Sequence, residues 1–372
     1  MKERALITGG AGFIGSHLAT ALIDAGFRVR VMDNFDALIH GGETPLWMNK
    51  KAEYVRGDVR NKNDWTAVLR RVDYVFHLAG YLDFHLDFST FFTVNTASTA
   101  LLYEVIVEKK YPIKKVVVAS SQSVYGEGKY RCKTHGIFYP SPRAERELKK
   151  HEWEVRCVRG NHDVDPLPEK EDDFLKPIIP YGISKRAVED IAWDLGKRYE
   201  IPSVVMRYTI AHGSHQTFRH FYSGALRQFA VMAMAGEPMT MHEDGMQIRD
   251  YVNVKDVAAA HLTVLSDPAA DFRAFNVGIG TPLRVTELAK IVAHAAGIRY
   301  DPVFPGLYRI GAPRHSIADV GSLKKLGWRS RVSAEESATE YIEWVKNFPE
   351  AKKYLARTLK KMRAAKLLRL SK

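Results

Sequence analysis

Tyr181 and Lys185 stand four residues apart in the stretch YGISK, the spacing that brings two side chains to one face of a helix. A phenol with its ordinary pKa near 10 is a poor base at neutral pH. A neighbouring ammonium and a cationic ring both favour the phenolate, and lowering the pKa by about three units takes roughly 4 kcal/mol of differential interaction. The pattern alone is cheap, since Tyr251 and Lys255 in YVNVK repeat it in an alternating context that reads as strand. The first copy carries weight because ASSQSVYG, residues 119–126, precedes it. A serine there can hydrogen-bond a substrate hydroxyl and relay its proton to the phenolate.

A second group of residues suits a nucleotide. TGGAGFIG, residues 8–15, closes one apolar run and opens a helical one, with Gly9, Gly12 and Gly15 at three-residue intervals around Phe13 and Ile14. Such glycines let the backbone approach a pyrophosphate, and the helix N-terminus offers free N–H groups and a favourable dipole. Asp33 falls 24 residues after Gly9, where an acid can take the ribose hydroxyls. Asn34 follows it, and no arginine stands in DNFDALIHGG to meet a 2′-phosphate. That favours NAD over NADP. Asp58 and Val59 end a third apolar run beside the adenine position, and Leu78, Ala79 and Gly80 in HLAG end a fourth along the cofactor.

These residues need a scaffold that gathers strand ends. RALIT, RVRVMD, YVRG, DYVFHLA, KVVVAS and SVVMRY read as strands, with helical patterns such as GSHLATALIDAG between them. Alternating strand and helix predict an α/β fold, a doubly wound parallel sheet of Rossmann type with a smaller mixed α/β lobe. The expected division is a dinucleotide-binding domain over 1–208, rejoined by about 251–281, and a substrate lobe over 209–250 and 282–348. An insertion at 127–179 separates two catalytic parts, and a basic helix or tail fills 349–372. No internal repeat is visible.

The bulk composition narrows the class further. With 372 residues, 46% hydrophobic and 26% charged, the chain reads as globular. The tail from Lys352 onward holds nine Lys or Arg and no acid, which leaves only +3 of the net +12 for the rest. A specific nucleic-acid partner is therefore not expected. Leu355, Leu359 and Met362 recur there at helical spacing, so the tail reads as an amphipathic basic helix open to peripheral contact with an acidic surface. No run approaches eighteen uninterrupted apolar residues, the N-terminus runs directly into a strand, and two cysteines suit a reducing compartment. A cytoplasmic location is expected.

Taken together, TGGAGFIG, HLAG, VNTAST, SSQSVYG, YGISK and DGMQIRDYVNVKDVA resemble the extended short-chain dehydrogenase/reductase family, in its NAD-dependent sugar-nucleotide epimerase/dehydratase branch. The resemblance runs from about residue 4 to about 330. It implies Ser121, Tyr181 and Lys185 as catalytic residues and Asn95 of VNTAST beside the cofactor. It further implies Ser123, Arg249, Tyr251 and Arg309 as substrate contacts, and a homodimer through the helix after Asn95 and the Tyr181 helix. Dehydratases of this branch carry Asp-Glu after the catalytic threonine, whereas this chain has Gln122 and Ser123. What the resemblance leaves is inversion at C4 of a nucleoside-diphosphate sugar by oxidation and re-reduction with tightly bound NAD. Two departures bear on the substrate: Ile210 replaces the amide of R-Y-F-N, and Ala312 stands where relatives often have Asp. The chain is most similar to the subgroup of dTDP-L-rhamnose 4-epimerases, so a dTDP- or UDP-hexose, a deoxysugar like rhamnose above all, is the expected substrate. The alternatives are a one-way NAD(P)-dependent ketosugar reductase or dehydrogenase, and a non-catalytic dinucleotide-binding protein that holds RNA or a partner.

Both cysteines fall in the insertion. Cys132-x-x-His135 has metal-ligand spacing, and Cys157 with His162 would complete a tetrahedral zinc site without catalytic work. Free thiols and a Cys132–Cys157 disulfide stand beside that reading.

Overall fold

The computed structural model describes residues 2–83, 87–219, 224–364, 366 and 368–371, with the side chains of 357–359 and 361–363 outside that set. The main sheet has seven strands: β1 (Arg4–Thr8), β2 (Arg28–Asp33), β3 (Glu53–Arg56), β4 (Tyr74–His77), β5 (Lys115–Ser121), β6 (Ser203–Tyr208) and β7 (Ala274–Val277). All pairs are parallel, in the order β7-β6-β5-β4-β1-β2-β3. The order reverses between β1 and β4, which opens a crevice at their C-terminal ends.

Side chains alternate across each strand, so an apolar run buried on both faces feeds two cores. Val116 and Val118 of β5 join one cluster, with Leu102 of helix Ser98–Lys109 and Val188 and Ala192 of helix Pro180–Arg198. Val117 and Ala119 join the other, with Leu18 and Leu22 of helix Phe13–Asp24 and Val257 and Val264 of helix Val254–Ser266. Each such valine or leucine contributes about 1.5–3 kcal/mol when fully buried. The stretch Phe88–Lys109 is continuously helical through a wider π turn at Phe92–Ala97, and it is long and apolar enough to cross a membrane. Leu102, Tyr103, Val105 and Ile106 are instead buried against the main sheet.

The second lobe has a core of its own, which gathers Phe229, Met232, Leu288, Val292, Ile342 and Leu355 from helices Ala225–Ala235, Val285–Ala295, Ala334–Val345 and Ala351–Ala364. Beside it, strand Pro302–Arg309 runs parallel to Met239–His242 and antiparallel to Leu368–Leu370. Two segments depart from the division expected from sequence. Ala318, Val320, Leu323 and Trp328 pack into the main-sheet core rather than the second lobe, and Trp328 Nε1 donates to the Asp256 carbonyl at 3.1 Å. The basic helix expected over 349–372 forms at Ala351–Ala364, and it belongs to the second lobe because Ala351 and Leu355 are buried in that lobe's core. The side chains of Leu359 and Met362 lie outside the described residues.

The insertion is ordered by an antiparallel sheet of its own, with Lys129–Cys132 between Gly136–Phe138 and Val164–Leu167. Ion pairs tie it to the second lobe. Arg143 donates to both Glu243 carboxylate oxygens at 2.9 and 3.0 Å, and Glu154 accepts from Arg314 and His315.

Candidate active site

The C-terminal ends of β1, β2, β4 and β5 open onto one cleft of about 520 Å³. Gly9 turns with φ +67°, a conformation that side-chain-bearing residues rarely adopt, and a Cβ there would come within 2.9 Å of Ala79 Cα. A Cβ on Gly15 would run into the Gly9 carbonyl oxygen, whereas Gly12 meets nothing closer than 3.3 Å. The loop is therefore closed underneath and open above, a cradle that fits a pyrophosphate against the N-terminus of helix Phe13–Asp24.

Asp33 ends β2 and accepts from the backbone N–H of Ala11 at 3.0 Å and of Phe35 at 2.9 Å, with His40 Nε2 3.6 Å away. Asp58 takes two bonds from the Arg60 guanidinium, which outweigh burial and hold its carboxyl below the usual range. Behind HLAG, the Ala79 N–H donates to Thr8 Oγ1, which bonds His77 Nδ1 at 2.8 Å. Burial, with a smaller contribution from Lys185, pushes the His77 pKa down to about 3, so its imidazole is neutral.

Helix Pro180–Arg198 starts with proline in its first turn after extended Ile179, so it begins abruptly beside the end of β5. Lys185 Nζ lies 6.0 Å from the Tyr181 ring centroid and donates to the Ala119 carbonyl at 2.9 Å. Burial pushes its pKa down to about 8. Ser121 Oγ donates to Ser123 Oγ at 3.2 Å and accepts from the Ser123 N–H at the same distance. Beneath this group a buried pair fixes the helix on the sheet: Arg207 of β6 holds Glu189 through bonds of 2.9 and 2.8 Å, and Ser120 donates to the same carboxylate.

Gly9, Gly12, Phe13, Ile14, Gly15, Asp33, Asn34, Asp58, Val59, Leu78, Ala79, Gly80, Ser121, Ser123, Tyr181 and Lys185 all line the cleft. Asn95 does not. It is buried one layer behind, accepting from the Tyr81 N–H and donating to Ser184 Oγ, so it ties the loop to helix Pro180–Arg198. Arg249, Tyr251 and Arg309 also lie outside the cleft lining. The Arg249 guanidinium is spent on the carbonyls of Ile248, Pro313 and Arg314 at 2.6–2.8 Å, and Tyr251 is buried beside His212.

The cleft gains residues that motif reading passed over. Tyr81, His215, Gln216 and Arg227 line it. His215 stacks between His17 and Trp47, with centroids at 4.4 and 5.0 Å. Arg227 is the sole charge in helix ALRQFAVMAMA, donates to the Thr217 carbonyl at 2.9 Å, and has its pKa lowered to about 10 by burial. A lone charge on an otherwise uncharged, mostly apolar helix is the signal.

Cys132, His135 and Cys157 converge at the tips of the insertion, away from this cleft, and both thiols are free. Burial works to raise the Cys132 thiol, but N–H groups of His135 and Thr134 outweigh it and hold it below its ordinary value.

The chain matches the model of the NAD dependent epimerase/dehydratase family over residues 5–148 and 156–278. It is similar to a dTDP-L-rhamnose 4-epimerase of Burkholderia thailandensis, 30% identical over 353 residues that cover 92% of this chain and 95% of the relative. A putative UDP-glucose 4-epimerase of Methanocaldococcus jannaschii is 28% identical, covering 92% and 98%. Among solved structures, UDP-glucose 4-epimerase from Thermotoga maritima with UDP-glucose superposes with a TM-score of 0.73 at 27% identity, over 92% of this chain and 99% of that one.

Proposed function

Because the chain belongs to the NAD-dependent epimerase/dehydratase family, we propose that it is a nucleoside-diphosphate-sugar 4-epimerase that holds its NAD through the catalytic cycle. The observation that carries the reading is one continuous cleft in which Ser121, Tyr181 and Lys185 follow directly on the glycine cradle and Asp33. Gln122 and Ser123 stand beside Ser121 in place of titratable acids, which suits inversion rather than elimination of water.

NAD bound in the cradle supplies the hydride acceptor and donor at C4. The Lys185 ammonium, charged below about pH 8, stabilises the phenolate of Tyr181. Ser121 hydrogen-bonds the C4 hydroxyl and passes its proton to Tyr181, and the proton returns along the same path after the sugar has turned. Arg227 and Gln216 at the far end of the cleft suit the anionic and polar parts of a sugar nucleotide. The similarity to the Burkholderia enzyme supports a dTDP- or UDP-hexose, with a dTDP-linked 6-deoxysugar favoured.

Helices Phe88–Lys109 and Pro180–Arg198 pack against each other and expose Phe88, Phe92 and Ile183, which supports a homodimer there. A cytoplasmic location belongs to the same reading.

The test is to mix the protein as purified, without added NAD, with UDP-, dTDP-, GDP- and CDP-sugars and follow them by NMR. Inversion at C4 with no net change at 340 nm is expected. Consumption of stoichiometric NAD(P)H or NAD(P)+ would replace the proposal with a reductase or dehydrogenase.

A further inference from the structure

Two turns of the insertion face each other and carry four potential metal ligands. The first closes the hairpin in which Cys132 pairs with Gly136, so Cys132 and His135 sit at either end of a tight loop whose exit glycine has φ +79°. The second runs from Cys157 to His162. The Cys157 carbonyl accepts from the N–H groups of Gly160 and Asn161 at 3.3 and 2.8 Å, and the Cys157 N–H donates to the His162 carbonyl at 3.0 Å. An antiparallel bridge between Arg156 and Asp163 holds its base. Each turn thus offers one cysteine and one histidine.

The ligand atoms are already near metal-binding distances. Cys132 Sγ, His135 Nδ1 and Cys157 Sγ all lie within 4.8 Å of one another. His135 Nδ1 stands 3.6 Å from Cys132 Sγ and 3.2 Å from Cys157 Sγ. In a tetrahedral zinc site with Zn–S of about 2.3 Å and Zn–N of about 2.0 Å, adjacent S and N ligands lie about 3.5 Å apart. The His162 ring is 5.5 Å from that of His135, centroid to centroid, and lies over Gly160, where any side chain would collide with it. His162 is exposed, so its ring is not locked in place by packing.

We propose that these two turns bind one Zn2+ through Cys132, His135 and Cys157, with His162 as the fourth ligand. Binding releases the two thiol protons to solvent, and two thiolates with two neutral imidazoles leave the centre formally neutral. The ion staples a module with few apolar contacts, in which Leu148 and Trp153 pack on Tyr308 of strand Pro302–Arg309. Its effect reaches the second lobe, because Glu154 lies three residues before Cys157 and holds Arg314 and His315.

Metal analysis of the full chain, purified without chelator, is expected to find about one zinc per chain. Cys132→Ser and Cys157→Ser are each expected to reduce it to less than about a tenth, and His162→Ala to speed its loss to a chelator. Because the variants can also fail to fold, Co2+ exchanged into the unaltered chain gives a second reading. Strong visible bands of a tetrahedral centre and a thiolate-to-cobalt charge-transfer band are expected. A protein that is metal-free as purified and takes up neither Zn2+ nor Co2+ overturns the proposal. So does an intact mass lighter by two hydrogens, the mark of a Cys132–Cys157 disulfide.

Discussion

At the cofactor end of the cleft, Gly9, Asp33, Asp58 and Ala79 arrive from the ends of neighbouring strands or the loops directly after them, set by one parallel register. At the end proposed for the sugar, Ser121, Thr209, Gln216 and Arg227 arrive from β5, the segment after β6 and a helix of the other lobe. The first end is shaped chiefly by backbone, with small residues that let chain approach chain. The second depends on side chains, including a buried ion pair and the links from the insertion to the second lobe. A backbone-built site tolerates changes in its surroundings, whereas a side-chain-built one inherits the strength of every bond that holds it.

The contrast is broken most sharply at Tyr181. Tyr181→Phe is expected to lower kcat by about 10²–10⁴-fold, with bound NAD retained, as read by NMR of the sugar products and by the absorbance of released cofactor. Retained turnover would remove the proton relay from the mechanism. Next in size is Glu189→Ala, which leaves Arg207 buried without its carboxylate and is expected to cost about 3–5 kcal/mol in urea unfolding. Arg227→Leu tests the far end of the cleft. Loss of a charge-assisted bond worth about 1.5–3 kcal/mol is expected to appear in KM for the sugar nucleotide, with kcat and NAD retention little changed.

The pH profile sharpens the comparison further. Lys185 titrates at about 8 because burial disfavours its ammonium. Its support for the Tyr181 phenolate is therefore present at pH 7 and lost as pH rises through about 8. A falling basic limb in kcat/KM is expected there, and Lys185→Arg is expected to move that limb to higher pH. The stability of the fold runs oppositely: its lysine pKa is depressed, so stability rises between about 8 and the ordinary value near 10.4. The smallest effect belongs to Asp194→Ala on the same helix as Tyr181. Its exposed pair with Arg198 is worth less than about 0.5 kcal/mol, visible as a near-unchanged melting curve.

Legibility in the sequence follows the same division. Strands β1, β2 and β6 match the runs RALIT, RVRVMD and SVVMRY residue for residue, because strands of a sheet covered on both faces are rich in apolar residues between turn residues. The glycine loop and Tyr181–Lys185 were equally plain, since local spacing fixes them. The motif around Arg249 does not foretell that its guanidinium caps the carbonyls of Pro313 and Arg314, a contact between distant segments that no local pattern encodes. Asn95 fell behind the cleft because a π turn sets which face of its helix it occupies. The insertion read as irregular because its sheet is short and polar, and its order comes from pairs such as Arg143–Glu243 across 100 residues of chain.

The seventh strand has a consequence for how such a chain is made. β6 ends at Tyr208 and β7 begins at Ala274, and the chain visits the other lobe between them. Closing so long an excursion adds little to its entropic cost, which grows only with the logarithm of length, but it delays the pairing. A nascent chain that has completed β6 therefore carries a bare parallel edge, with hydrogen-bonding groups open to another strand. That interval, between the synthesis of β6 and the arrival of β7, is when the protein is most exposed to misassembly, and chaperone demand should concentrate there.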